Sequence, residues 1–365
     1  MLLQAILLVF AFFGIAALVV DMGYVRLSQV QMQSGADTAA LEGLRGRDEL
    51  GEAARRDEAR LFVTRTYLDP AGERLVGAGP ELTLSGGVTG GNASQLLSVS
   101  ADPVYRPALE PNLANAPHGD MVAGTYIGGQ GVENSAYQRT DFDPAGSSAF
   151  LVRMRRTDGR NPLDTPDGAA VSTGRSLPLL FGLGTTLQGD GGGGYNVRFD
   201  GITVRATAIA DGRPARRITN ALAAPFGLDR DYWAAMPDGA PVAVDVDGAG
   251  VLRSGGAVAG LFLAGPVNRI GLAVTPSGAP LAINGSFYVP LYAVIGGVSR
   301  VIGFGSIAAA SGAGVMQLAR TRNRMAGAGA SVHVAEGFFG VPDVGLILAA
   351  NNTLDGPLLA PALVR

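Results

Sequence analysis

Cysteine is missing from all 365 residues. Disulfides, thiolate metal sites and cysteine nucleophiles are excluded together, and core packing has to carry the stability of the fold. Lysine is missing too, so every basic side chain apart from two histidines is arginine. Charged residues make up only 16% of the chain and the formal net charge is −3, which offers no broad attraction to nucleic acid. Nucleic acid is therefore not an expected partner. His118 and His333 are the only imidazoles, so a histidine metal site or a Ser-His-Asp arrangement would have to use one of them. Neither has ligand spacing, His118 lies in a Pro-His-Gly-Asp turn, and no G-x-S-x-G elbow occurs.

Glycine is abundant where charge is scarce, with 54 residues spread along the chain. That composition favours many tight turns and short strands over long solvated helices. The exception is the start. Leu2 to Val20 is apolar apart from Gln4, and 19 residues at a rise of about 1.5 Å span roughly 28 Å, close to a bilayer core of about 30 Å. Thirteen of these residues are Leu, Ile, Val or Phe, which favours insertion by roughly 4 to 8 kcal/mol. A cleaved signal would show a basic leader, a shorter apolar stretch and a small-x-small site before a change of structure. Helical sequence instead runs on past Asp21, so a retained single-pass anchor with membrane lipid around it is expected. Arg26, Arg45 and Arg47 follow the apolar run and none precedes it, which by charge alone weakly favours the opposite orientation to an external body.

Past the apolar run, small or apolar residues recur at steps of three and four: Leu8, Ala11, Ile15, Leu18, Met22, Val25, Gln29, Met32, Ala36, Ala39 and Gly43. The outer half of this seam is small, with Gly35, Ala36, Ala39, Ala40 and Gly43, and lets another helix or the protein's own sheet come close. Asp21-Met22-Gly23, followed by Met32-Gln33-Ser34-Gly35-Ala36-Asp37-Thr38-Ala39-Ala40-Leu41, resembles the signature of TadE/TadG-like Flp (Tad) pilus assembly proteins. Looser likenesses to the larger, TadG-like members lie at Gly119 to Val122, Ala149 to Arg153, Leu177 to Gly182 and Ile202 to Ala208. Related pilins carry a glutamate near the start of the helix that pairs with a neighbour's N-terminal amine; this chain has Ala5 there, so that pairing is unavailable to it.

The resemblance implies a minor pilin-like or assembly component rather than a repeating shaft subunit. Its expected location is the inner membrane, with the C-terminal body periplasmic or extracellular and incorporation into a surface pilus. Its expected partners are other pilus or envelope assembly subunits and a second copy of itself through the N-terminal helix. The membrane seam is assigned to Leu8, Ala11, Ile15, Leu18 and Met22, with Asp21 and Gly23 at the interface and Ala36, Asp37, Ala39 and Ala40 in the stalk. No catalytic residue, metal or cofactor is assigned.

The expected fold class is α+β, mostly β: a long pilin-like helix, transmembrane plus stalk, and then one or two sheet domains. The spans are 1–20 transmembrane, 21–70 helical stalk, 71–215 a first β-rich domain and 216–365 a second one of sandwich or barrel type. A second helix is expected over Asp48 to Thr66, where Glu52 and Arg56 stand at i, i+4. Strands are expected at Glu81 to Leu84, Gln95 to Ser100, Phe150 to Arg153, Asn196 to Phe199 and Ile202 to Ile209, the last alternating well. Leu222 to Trp233 reads as a short helix or irregular cap. Strands follow at Pro241 to Val246, Arg269 to Val274, Ser286 to Val294, Val298 to Phe304, Ser331 to Val334 and Gly345 to Ala349.

Three other motifs are weaker. Gly189 to Gly194 satisfies G-x-G-x-x-G but is followed by a strand-like run, so it reads as a loop tip. Asp245-Val246-Asp247-Gly248 offers two carboxylates to a hard cation, and an exposed hairpin turn has the same composition. Trp233 with Tyr232, or Phe287 with Tyr288 and Tyr292, would suit a sugar platform in an anchored adhesin or glycan-binding protein independent of any pilus, although core packing is the commoner fate.

Overall fold

A computed structural model of the chain describes residues 2–66, 82–83, 98–99, 109–129, 131, 139–156, 202–278, 282–312, 314–326, 332–334 and 341–364. Two compact units divide the chain: Met1–Leu44 with Gly51–Asp211 and Leu363–Arg365, and Arg45–Leu50 with Gly212–Ala362. The architecture is the α+β, mostly β one expected, a long first helix followed by sheets.

The first unit holds α1 (Leu2–Arg45), α2 (Glu52–Thr66), the antiparallel pair β1 (Leu82–Thr83) and β2 (Ser98–Val99), then β3 (Met121–Tyr126), β4 (Phe142–Asp143), β5 (Ala149–Arg156) and most of β6 (Val204–Pro214). The sheet runs β16-β6-β5-β3-β4, where β16 (Leu359–Val364) is the last strand of the chain. Val204, Ala206 and Ala208 are buried while Arg205 is exposed, the alternation expected of a strand with one covered face. Central β5 is buried at every position, including Arg153, Arg155 and Arg156.

Buried guanidinium groups need acceptors. Arg153 Nη1 donates to the carbonyls of Pro117 and Gly119, both at 3.0 Å. Arg155 donates to Asp120 at 2.7 Å and to the His118 carbonyl at 2.8 Å. From α2, Arg56 Nη1 donates to the carbonyls of Pro111 at 2.8 Å, of Met121 at 3.2 Å, and of Asn112, while Nη2 reaches Asn115 Oδ1 at 2.8 Å. These bonds press residues 109–120 onto the edge of β3. There Asn115 accepts from the Ala123 amide at 2.8 Å and donates to its carbonyl at 2.9 Å, as a neighbouring strand would. The loop thereby covers a sheet edge that would otherwise invite pairing with another chain.

In the second unit, seven strands close into a barrel in the order β10-β11-β8-β12-β13-β14-β9. They follow the short β7 (Arg217–Ile218) and are β8 (Phe226–Asp229), β9 (Pro241–Val246), β10 (Val251–Ser254), β11 (Ala257–Phe262), β12 (Asn284–Ile295), β13 (Val298–Ser311) and β14 (Val315–Arg320). Every barrel pairing is antiparallel except that of β8 with β12. Closure leaves the barrel no free edge. Helix α3 (Arg230–Ala235) sits between β8 and β9, β15 (Val332–His333) pairs with β7, and α4 (Val344–Asn352) packs on β13.

The core of this unit includes Phe226, Leu228, Phe262, Leu291, Phe304, Met316 and Leu318. Trp233 reaches it from α3, which Asp229 caps by accepting from the amides of Asp231 and Tyr232. The indole lies over Gly305, where any Cβ would collide with the ring, and its Nε1 donates to the Asp355 carbonyl at 2.7 Å. Arg320 covers the indole, 4.9 Å from guanidinium carbon to ring centroid, and pairs with Asp238 at 2.7 Å. The turn after α1 also belongs to this unit. Asp48 there accepts from Arg47 Nε at 2.8 Å and from the Arg324 amide at 3.0 Å.

Four expectations require correction. Gly345 to Ala349 lies in α4 rather than a strand, because a short apolar run has no period that separates the two. Arg269 to Val274 forms only isolated bridges, interrupted by Gly271 at φ +85°. Leu222 to Trp233 contains barrel strand β8 before α3. The second helix starts at Glu52 and not Asp48, whose carboxylate is held by Arg47 and Arg324. Asn196 to Phe199 and Leu177 to Gly182 lie outside the described residues.

Replacing Gly305 by Ala should displace the indole and cost about 1–3 kcal/mol, read as a lower melting temperature and an altered emission spectrum of the sole tryptophan. At Asp48, burial pushes the carboxyl up, but the hydrogen bonds from Arg47 and the Arg324 amide outweigh it and hold the group below the usual carboxylate range. Its stabilisation is present above the unfolded value of about 3.9 and is lost as pH falls through the lower folded value. Asp48→Asn should therefore destabilise the barrel unit by about 1 kcal/mol at pH 7, and the difference from wild type should vanish in acid titrations of unfolding.

Candidate functional site

Helix α1 is a single element with two environments. Its apolar half is exposed apart from half-buried Ala17, with Leu8, Ile15, Leu18 and Met22 between 56% and 62% accessible and Ala11 exposed as well. This stretch is long and apolar enough to cross a membrane. From Asp21 onward one face is buried: Asp21, Tyr24, Ser28, Met32, Gly35, Ala36, Ala39, Ala40, Gly43 and Leu44. Gly23, by contrast, faces open space.

Three contacts seat the buried face on the sheet of its own unit. Tyr24 hydrogen-bonds with Arg156 at the end of β5. Gln33 Nε2 donates to Asp37 Oδ1 at 2.8 Å and to the Thr207 carbonyl of β6 at 2.9 Å. Asp37, half-buried, thus orients the amide that ties the helix to the sheet. Gly43 rests on the Phe150 ring so closely that a Cβ would collide with it. The guanidinium carbons of Arg55 and Arg56 lie 5.0 and 6.0 Å from the centroid of that ring. Ala36, Ala39 and Ala40 are fully buried in the same interface, where small side chains permit a close approach of helix to sheet.

Residues 2–55 match the family model described as putative Flp pilus-assembly TadE/G-like. The likeness covers the N-terminal segment alone, well under half of the chain. No curated protein and no solved structure gives a match to the chain. The TadE/G-like segment coincides with α1, the turn after it and the first residues of α2, ending at Arg55 over Phe150.

Several motifs outside the TadE/G-like segment have local structural roles. Asp247 Oδ1 accepts from the amides of Ala249 and Val251 at 3.0 and 2.9 Å and its Oδ2 accepts from Arg253 at 3.2 Å, which makes the Asp-Gly run a capped hairpin turn. Among the described residues no His, Asp and Glu cluster suits a metal. His333 is exposed in β15, His118 lies in the edge-covering loop, and the two belong to different units. Trp233 and Tyr292 are buried and Tyr288 and Phe287 are half-buried, so no exposed aromatic platform forms from them. Gly189 to Gly194 lies outside the described residues.

The residues that support the helix seat from behind, Phe150 with Arg55 and Arg56 against its ring, were not legible in the sequence as part of that seat. The only available signal was Arg55-Arg56 on α2 with an exposed Glu52 one turn before. If the Gly43 contact sets the docking distance, Gly43→Val should loosen the outer half of α1 by about 1–3 kcal/mol, seen as faster amide exchange over residues 32–44. Combining it with Phe150→Ala should cost less than the two single changes summed, because the second change removes the clash created by the first.

Proposed function

We propose that the protein is a minor, pilin-like subunit of a Tad pilus, of the larger TadG-like type, held in the inner membrane by residues 1–20 with its C-terminal body outside the cytoplasm. The observation that carries this reading is the change of environment along α1. The helix is apolar and bare up to Val20, then turns one face to the protein from Asp21 onward. A bare apolar rod of membrane length is stable only where lipid or other apolar helices surround it.

The outward face of α1 supports a role in assembly. Beyond the apolar stretch, Met22, Leu27 and Val30 remain exposed. Val30 continues the exposed line of Phe12 and Val19, with Leu27 beside it and with Arg26, paired with Gln29 at 2.8 Å, on the same face. Val30 stands ten residues past Val20, about 15 Å beyond the lipid edge. Lipid tails do not reach that height, and a purely soluble partner does not reach Phe12. An apolar helix that itself spans the membrane covers the whole line, whether from a second copy of this chain or another pilus subunit. Leu8, Ala11, Ile15 and Leu18 serve the same contacts at lower depth.

The absence of cysteine makes the test clean. In cells that assemble Flp pili, the full chain should resist alkaline extraction from membranes. A Leu113→Cys variant should react with a membrane-impermeant maleimide from outside the cytoplasm. Phe10→Arg with Phe13→Arg adds about 2.5–3.5 kcal/mol per site against insertion and should release the chain. Leu27→Glu with Val30→Glu should leave the chain anchored but reduce piliation. Extraction of the wild-type chain as a soluble species, or unchanged pili in cells lacking it, would defeat the proposal.

A further inference from the structure

An open cavity of about 510 Å³ lies in the barrel unit between the β12–β13 turn and the ends of α3 and α4. Val294 and Leu346 line it and are 71% and 60% exposed, well beyond what the packing of either element requires. Helix α4 fastens itself to the barrel through buried Ile347 and through Asn351, whose Nδ2 donates to the Ile302 carbonyl at 2.6 Å. Leu346 contributes nothing to that attachment. Two exposed apolar side chains within one concave, charge-rimmed surface can take the apolar side chains of a partner.

The rim is acidic. Asp229 and Asp231 line the cavity together with Arg230, whose Nε is already paired with Asp231 at 3.1 Å. Asp343 stands beside the Gly296 turn, within 2.8 Å of where a Cβ on that glycine would lie. No cation pairs with Asp229 among the described residues, and its carboxylate only accepts the two amides that start α3. Burial and the nearby charge of Asp229 push the Tyr292 phenol well above its ordinary range, as an unneutralised carboxylate beside it would.

We infer that this cavity receives an apolar segment of a partner protein that carries one basic side chain, with its apolar residues against Val294 and Leu346 and its cation toward Asp229. The excess of carboxylates selects against an acidic segment and against an anionic lipid surface. The inference is independent of α1, so it stands or falls apart from the anchor reading.

Full-length protein in phosphatidylcholine nanodiscs would be titrated with two labelled pentapeptides, Leu-Leu-Arg-Leu-Leu and Leu-Leu-Glu-Leu-Leu, with empty nanodiscs as the baseline. The arginine peptide should bind about tenfold or more tightly than the glutamate one. Leu346→Asp should abolish binding of both. Asp229→Asn keeps a competent helix cap and should erase the preference without changing the melting temperature. Equal binding of the two peptides, binding no stronger than to empty nanodiscs, or indifference to Leu346→Asp would each overturn the inference.

Discussion

The close contact of Gly43 with the Phe150 ring sets how near α1 can approach its sheet, and the described contacts of α2 and of the loop before β3 gather around the same ring. A helix meets a sheet this closely only where its facing side chains are small, and Ala36, Ala39 and Ala40 supply that surface. Phe150 is held from its other neighbours by Arg55 and Arg56, and Arg56 in turn holds the loop that covers the edge of β3. One ring therefore links the seat of α1 to the protection of the sheet edge. The segment matched by the family model ends within this cluster, at Arg55.

The helix and its small-residue face were legible in the sequence because both are local and periodic. The alternation of β6 and the long runs of β12 and β13 were legible for the same reason. Strands β10, β11, β14 and β16 were not anticipated, since each is short, β11 and β16 are broken by Gly and Pro, and all gain their identity from their neighbours in the sheet. Helix α4 carries the same apolar letters as a buried strand, and only its contacts with β13 distinguish it. The buried arginines were the least legible feature. Arginine is expected at the surface, and the acceptors that make its burial tolerable lie 34 to 65 residues away in sequence.

Burying Arg153, Arg155 and Arg56 is a costly way to hold a loop if it is judged by stability alone, because ion pairs and guanidinium groups in a core rarely outperform apolar packing. The return is geometric. Each guanidinium presents several donors in a rigid fork, so one side chain fixes two or three carbonyls of a segment with no regular hydrogen bonding of its own. In a chain without cysteine, this does the local cross-linking for which many extracytoplasmic domains use disulfides.

The seam read from the sequence repeats at about 3.5 residues, whereas a straight α-helix repeats at 3.6 and drifts about 20° per heptad. The two coincide at Met32, Ala36, Ala39 and Gly43, which are buried, and diverge toward the membrane, where Asp21, Tyr24 and Ser28 occupy the buried face in place of Met22, Val25 and Gln29. The divergence inverts the usual polarity of a surface helix. Near the apolar stretch, α1 turns Asp21 and Ser28 toward its own body and Met22, Leu27 and Val30 away from it, together with Arg26 and Gln29. A helix whose outer surroundings were water would lose apolar burial by this choice, at about 25 cal/mol per Å². The same choice is favourable when the surroundings are hydrocarbon or another apolar helix, because carboxylates and hydroxyls then belong inside, with partners. The orientation of α1 about its own axis thus carries information that its composition does not: Asp21 and Ser28 are taken up by contacts within its own unit, while Met22, Leu27 and Val30 stay outside beside Arg26 and Gln29.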